Sequence, residues 1–250
     1  MSHTVRLQPS GKSFQVDAEA SILDQALQAG IVLPYGCKNG ACGSCKARVL
    51  SGTFIQDAHQ PQALTAAEQA RGLALVCRAR ATSDIELEAR VVAAVGDIPI
   101  RKMPCRVAAI DRLAPDVIRL ELQLPATERL QYLAGQYVDL LLKDGVRRSY
   151  SMATPPGLAS TIELHVRHLP GGRFSDALFG ITEPPVKVRD ILRLEGPLGS
   201  FFLREDSTAP VILLASGTGF ASIKSLIEQY RIKQDAAGGS AAPRPMTLYW

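Results

Sequence analysis

The chain is 250 residues long, with 28 Lys+Arg against 24 Asp+Glu, 46% hydrophobic residues and 21% charged ones. That length covers one or two domains with sizeable cores, and a net charge of +4 scattered along the chain excludes the clustered basic face of a nucleic-acid binder. No apolar run approaches the ~18 residues of a membrane span, and Met1-Ser2-His3-Thr4-Val5-Arg6 lacks the basic-then-apolar order of a secretory signal, so a cytoplasmic protein is expected.

Residues 1–93 carry the first pattern. Val5 with Leu7, and Phe14 with Val16, alternate with polar neighbours on either side of Pro9-Ser10-Gly11-Lys12, a hairpin signal. Ser21-Ile22-Leu23-Asp24 opens a helix with a capping-box pattern that Gly30 closes, and Thr65-Ala66-Ala67-Glu68 opens a shorter one that Gly72 ends. Ile85, Leu87 and Ala89 alternate with acidic residues in a last strand. This order predicts a compact sheet crossed by a helix. Residues 91–103, with Gly96 and Pro99, read as a linker.

Residues 101–204 read as a second domain. The short runs 107–110, 117–124, 137–142 and 162–166 are β-type, separated by Ala114-Pro115, Asp144-Gly145, Pro155-Pro156-Gly157 and Pro170-Gly171-Gly172. Many short strands punctuated in this way predict a closed barrel, here with one helical stretch at 174–179. Residues 208–250 change pattern again. Val211-Ile212-Leu213-Leu214-Ala215 reads as a buried strand and Gly217-Thr218-Gly219 as a tight loop. Ile223, Leu226, Ile227 and Tyr230 form a helix face, residues 236–245 a small-residue loop, and 246–250 the next strand.

Three of the five cysteines sit inside nine residues, which favours metal over disulfides. Cys37, Cys42 and Cys45 are spaced C-x4-C-x2-C, with Cys77 downstream, which is the plant-type [2Fe–2S] spacing. A loop wrapping such a cluster brings backbone N–H groups close to anionic sulfurs, and Gly36, Gly40 and Gly43 supply the needed turns. The alternatives are a zinc site or cysteines buried near one another. Zinc pairs usually come as C-x2-4-C repeated, and the second pair is missing. Cys105 is left over as a small buried hydrophobe.

Pro34-Tyr35-Gly36-Cys37-Lys38-Asn39-Gly40-Ala41-Cys42-Gly43-Ser44-Cys45-Lys46 resembles the cluster loop of ferredoxin-type domains fused to flavoprotein reductases. The resemblance implies a β-grasp 2Fe-2S ferredoxin domain over 1–93, with Cys37 and Cys42 on one iron and Cys45 and Cys77 on the other. Free-standing plant-type ferredoxins are strongly acidic, whereas residues 1–93 carry nine Lys+Arg and eight Asp+Glu. A domain fed by a covalent neighbour needs less electrostatic steering on that side.

Arg148-Ser149-Tyr150-Ser151 is similar to the R-x-Y-S motif of the ferredoxin–NADP⁺ reductase superfamily and implies a Greek-key FAD-binding β-barrel over 101–204. The resemblance assigns Arg148 to the FAD pyrophosphate, a role suited to a planar, permanently charged fork. It puts Tyr150 on the isoalloxazine, and Ser151, the catalytic candidate, near the hydride-accepting nitrogen. Gly171-Gly172-Arg173-Phe174-Ser175 follows, where a glycine turn feeding a helix start offers N–H groups to the same pyrophosphate. His165-Val166-Arg167, on the strand before, belongs near the flavin or adenosine portion; His165 and His168 read equally as strand histidines facing opposite environments. Gly196-Pro197-Leu198-Gly199-Ser200-Phe201 is similar to the G-P-x-G-x-F stretch that closes the barrel. FMN is the alternative flavin.

Ala215-Ser216-Gly217-Thr218-Gly219-Phe220-Ala221 resembles the G-x-G-x-x-P region of that superfamily, with Ser222 where the family often has proline. It implies that Gly217, Thr218 and Gly219 hold part of NADH or NADPH in a partial α/β NAD(P)-binding domain, 208–250. The three parts make one mechanism. A nicotinamide delivers two electrons as hydride, a [2Fe–2S] cluster takes one at a time, and a flavin, which accepts either, converts between them. No acid–base dyad or nucleophile is needed, and none is visible. Val5-Arg6-Leu7-Gln8-Pro9-Ser10-Gly11 and Ser21-Ile22-Leu23-Asp24 add a likeness to the CDP-6-deoxy-Δ3,4-glucoseen reductase group.

The expectation is a multidomain α+β and β protein, monomeric, binding neither nucleic acid nor membrane. It passes electrons from NADH or NADPH through FAD and a [2Fe–2S] cluster to a separate partner, the dehydratase of a sugar-nucleotide deoxygenation system. Reductases of phenol hydroxylases and ring-hydroxylating dioxygenases share the architecture, so an oxygenase component is the alternative acceptor. A non-enzymatic electron-transfer module is the rival of another class. The nucleotide domain is expected to be C-terminally incomplete, and hydride uptake from NADH correspondingly poor.

Overall fold

The computed structural model describes residues 2–92, 98–128, 130–143, 145–157, 160–236 and 244–250. Met1, the expected domain end at residue 93, Gly96 of the linker, Asp144 of the Asp144-Gly145 turn and residues 237–243 of the small-residue loop lie outside them. The chain divides into two compact units, Met1–Asp97 with Gly199–Phe201, and Ile98–Leu198 with Phe202–Trp250.

In the first unit, β1 (Ser2–Gln8) and β2 (Ser13–Asp17) form the expected antiparallel hairpin. β1 also pairs in parallel with β7 (Ile85–Glu88). β3 (Lys46–Ser51) and β5 (Leu73–Leu75) complete a sheet of order β2-β1-β7-β3-β5, while β4 (Phe54–Gln56) pairs with β6 (Ala79–Ala81). α1 (Ile22–Gln28) starts where the Ser21 side chain accepts from the Asp24 N–H, and it buries Ile22, Leu23 and Ala26. With Leu7, Leu75 and Leu87 fully buried, each such side chain stabilises the fold by about 1.5–3 kcal/mol. α2 (Ala66–Ala70) begins with a complete capping box between Thr65 and Glu68. Both helix starts were legible from Ser/Thr three residues before an acid.

The second unit is the barrel followed by a βαβ unit. β8 (Arg101–Ala114), β9 (Val117–Gln123), β10 (Tyr137–Leu141), β11 (Arg147–Ser151), β12 (Thr161–Arg167) and β13 (Ile191–Leu198) run in the order β11-β10-β13-β8-β9-β12. A bridge between Met152 and Leu164, with the Ala153 N–H donating to the Glu163 carbonyl at 2.8 Å, joins the two outer strands and closes the barrel. Alternate residues such as Leu120, Leu122, Leu140 and Leu164 fill its core. Residues 101–103, read as linker, are instead the start of β8, because Arg101, Lys102 and Met103 pair with Gly196, Glu195 and Leu194. That long-range pairing overrides the weak local pattern. Pro104 is tolerated there because this stretch of β8 pairs with β13 alone, and β9 joins it only from Arg106 onward.

β14 (Val211–Leu214) pairs in parallel with β15 (Met246–Tyr249) across α4 (Phe220–Ala236). The strand read as buried is buried on one side only: Leu213 packs with Ile223 and Leu226, while Ile212 is 73% and Leu214 77% exposed. α4 covers one face of the pair, and strand alternation sends every second side chain to the other.

Candidate functional site

The loop between α1 and β3 carries three of the four candidate cysteines. Lys38 adopts a φ of 58° although it is not a glycine, and Gly40 follows at 78°. A Cβ at Gly40 would lie 2.9 Å from both the Arg78 and the His59 side chains, so this turn needs glycine for space as well as for φ. The winding turns N–H groups toward sulfur. Cys37 Sγ accepts from the Ala41 and Cys42 N–H groups at 3.3 Å each, and Cys42 Sγ accepts from the Cys37 N–H at 3.4 Å. Cys77, from the turn between β5 and β6, puts its Sγ 3.2 Å from Cys45 Sγ.

The four sulfurs therefore come as two pairs. Among the described residues no three His, Cys, Asp or Glu side chains converge as a single-ion site. Two pairs suit two irons joined by sulfide better than one tetrahedral zinc. Burial pushes the Cys42 thiol up, but the Cys37 N–H, the Ser44 hydroxyl and the Ser44 N–H outweigh it and leave its pKa below the ordinary value. The hydrogen bond between Cys45 and Cys77 draws Cys45 down to about 7, while the same bond, with burial, pushes Cys77 up. Low pKa values favour the thiolate, the form that ligates metal. Cys105 is pushed up to about 12 by burial in β8 and is an inert core side chain.

The second site is a cleft of about 200 Å³ on the second unit. β11 lines it with Arg148, Ser149 and Tyr150, β12 with His165 and Arg167, the Leu169–Ser175 region with Leu169, Gly172 and Ser175, and the turn before α4 with Thr218. Strand alternation decides the β12 contribution: His165 and Arg167 line the cleft, whereas Val166 between them is fully buried in the barrel core. The adjacent arginines part company. Arg147 binds Glu195 Oε2 at 3.0 Å and Asp139 Oδ2 at 3.4 Å, while Arg148 donates to the Arg147 carbonyl and has no carboxylate partner among the described residues. An arginine fork in a cleft with no carboxylate beside it is suited to a phosphate. Burial pushes the Tyr150 hydroxyl up to about 12, and its ring lies 5.7 Å from that of Phe174.

The glycine turn is fixed by sterics. Gly171 has a φ of 77°, and a Cβ at Gly172 would lie 2.4 Å from Ser175 Oγ and 2.7 Å from the Leu169 carbonyl. Ser175 Oγ accepts from the Leu169 N–H at 3.2 Å and so locks the turn. It leads into α3 (Arg173–Leu178), in which Arg173 is exposed and Phe174 is a core residue. Ser151 ends β11 opposite Tyr137. Gly217, Thr218 and Gly219 form a 3₁₀ turn before α4, with Gly217 at a φ of 50° beside Arg167. The two histidines do face different surroundings: His165 lines the cleft, and His168 Nε2 lies 2.8 Å from Asp176 Oδ1 with its ring against Phe179. Sequence reasoning missed Asp139, which accepts from Ser149 Oγ at 2.6 Å, and Glu163, whose Oε1 is 2.6 Å from His165 Nε2. Glu163 sits two residues before His165, on the same strand face, so period-two alternation carried that signal.

Residues 5–82 match the 2Fe-2S iron-sulfur cluster binding domain, and residues 104–203 match the oxidoreductase FAD-binding domain. Over 250 residues the chain is 42% identical to the CDP-6-deoxy-L-threo-D-glycero-4-hexulose-3-dehydrase reductase of Yersinia pestis, covering 100% of this chain and 71% of that protein. The chain belongs to the iron–sulfur flavoprotein reductase family. It is 38% identical to the terephthalate 1,2-dioxygenase reductase component 1 of a Comamonas species, over 100% of this chain and 70% of the relative. A solved cytochrome P450 reductase of Amycolatopsis superposes with a TM-score of 0.73 at 32% identity, over 99% of this chain and 71% of that one. As a member of the family the protein is an NAD(P)H-dependent oxidoreductase with FAD and a [2Fe–2S] cluster. No helix among the described residues is long and apolar enough to cross a membrane.

Proposed function

We propose that this reductase accepts reducing equivalents from NADH or NADPH at the Arg148–Thr218 cleft and delivers single electrons to a separate sugar-nucleotide dehydratase component, working as a monomer in the cytoplasm. The observation that carries the reading is the pairing, within one chain, of two sulfur pairs with a cleft walled by an aromatic ring and a carboxylate-free arginine. When bound, the flavin takes two electrons and gives them up singly, and the cluster carries one at a time. Cys37 and Cys42 hold one iron, Cys45 and Cys77 the other. Arg148 binds the flavin pyrophosphate, with the Gly171-Gly172 turn permitting close backbone approach, and His165 and Arg167, the latter paired with Asp116, lie near the flavin or adenosine portion. Tyr150 offers its ring face to the flavin, and Ser151 offers its hydroxyl at the reacting edge. Gly217, Thr218 and Gly219 hold the nicotinamide cofactor's phosphates.

The identity to the Yersinia reductase supports a dehydratase as acceptor, and the terephthalate relative favours a second reading, an oxygenase component. Stopped-flow mixing of the dithionite-reduced protein with each component separates them. Reoxidation of the cluster is expected to be faster with a sugar-nucleotide dehydratase than with an aromatic-ring oxygenase. Faster reoxidation by the oxygenase would install the second reading.

A further inference from the structure

Glu163 stands at the seam that closes the barrel. Its carbonyl accepts from the Ala153 N–H and its own N–H donates to Thr154 Oγ1, both at 2.8 Å. Its side chain points two ways. Oε1 lies 2.6 Å from His165 Nε2, and Oε2 lies 3.5 Å from Lys224 Nζ on α4. Lys224 also reaches the Ala153 carbonyl at 3.4 Å, and the fully buried Ser225 donates to the Thr154 carbonyl at 2.8 Å, so α4 is fastened to the same seam. Arg119, opposite His165 on β9, is paired with Asp111 at 2.8 Å and acts on Glu163 through its charge alone.

We propose that Glu163 is a positioning residue of the cleft: one carboxylate oxygen fixes the His165 imidazole, while the other shares Lys224 of α4 with Glu228, which lies closer at 3.1 Å. The hydrogen bond with His165 holds the Glu163 carboxyl below its ordinary pKa against burial, with Lys224 helping. An ionised carboxylate can only accept, so His165 carries a proton on Nε2 and donates it to Oε1. The other ring nitrogen, Nδ1, has no protein partner among the described residues. The cleft thereby keeps a fixed ring nitrogen for a hydroxyl group, which can donate or accept, of the kind a ribityl or ribose group carries. This last step rests on the cleft being the flavin site.

The test uses the full chain with Glu163→Ala and Glu163→Gln, reading the ring-nitrogen NMR signals of His165 without flavin and the FAD dissociation constant by fluorescence. Wild type is expected to hold the Nε2–H tautomer and Glu163→Ala to lose it, with FAD binding about tenfold weaker, the equivalent of one hydrogen bond of about 1.4 kcal/mol. Glu163→Gln, whose amide oxygen still accepts, keeps the tautomer and rescues most of the affinity. A purely structural role would not sort the variants in this way. An unchanged tautomer in Glu163→Ala, or a lost one with FAD affinity intact, overturns the proposal. Arg148→Ala serves as the separate control: FAD binding unaffected by that change would remove the flavin from the cleft while leaving the tautomer result standing.

Discussion

The cysteine loop of the first unit and the arginine-lined cleft of the second are built by opposite routes. Three of the four cysteines lie on one loop of nine residues, and their N–H···S contacts join residues no more than five apart. The cleft draws on two strands, a glycine turn before α3 and the turn before α4, and its polar partners are as far apart in sequence as Glu163 and Lys224. A site written by local spacing fails completely when one ligand is removed. A site assembled from distant elements should lose affinity in steps.

The largest effect is expected at the cysteines. Cys77→Ser should abolish the cluster, because it leaves Cys45 without its partner, whereas Cys105→Ser should leave it intact, being a core residue of the other unit. Iron and sulfide content, together with the reduced-state EPR signal, decide between these outcomes. Next comes the cleft. Arg148→Ala should weaken FAD binding roughly ten- to a hundredfold, the loss of a charge-assisted bond of ~1.5–3 kcal/mol. Arg147→Ala should leave affinity nearly unchanged and alter stability by no more than about 1 kcal/mol, since its ion pairs are partly exposed. Equal flavin loss from both variants in gel filtration would erase the distinction between the two arginines.

The smallest effect is a pH dependence in the first unit. Glu68 lies 2.6 Å from Lys46 Nζ and caps α2 with Thr65; the Lys46 hydrogen bond first, and then Thr65, hold its carboxyl at about 2 instead of 4.5. The folded pKa is below the unfolded one, so its contribution is complete above 4.5 and is lost as pH falls toward about 2. Glu68→Gln should lower the thermal midpoint near neutrality, and the gap to wild type should narrow through that window. A gap that stays constant under acid would show that the ion pair contributes nothing.

The same contrast explains what could be read from the sequence. Hairpin β1–β2, both capped helices and the cysteine loop depend on neighbours within a few residues, and their signals lie in the local pattern. The first residues of β8 and the whole of β13 do not: they form because Met103 and Leu194 face each other from distant parts of the chain. Gly196 belongs to that pairing, since a Cβ there would come within 2.7 Å of Val138 Cγ1. In the cleft the Arg148-Ser149-Tyr150-Ser151 motif was legible and set Arg148 apart from Arg147, but the ion pairs that occupy Arg147 were not, because they run to Asp139 and Glu195 on two other strands.

Under the proposed function one chain holds a two-electron and a one-electron carrier at these two sites. An anaerobic dithionite titration of the protein loaded with FAD, iron and sulfide, followed by flavin absorbance and EPR, measures this directly. About three electrons per chain are expected, two bleaching the flavin and one producing the cluster signal, falling to about two with no cluster signal in Cys77→Ser. An unchanged electron count and a surviving signal in that variant would contradict it.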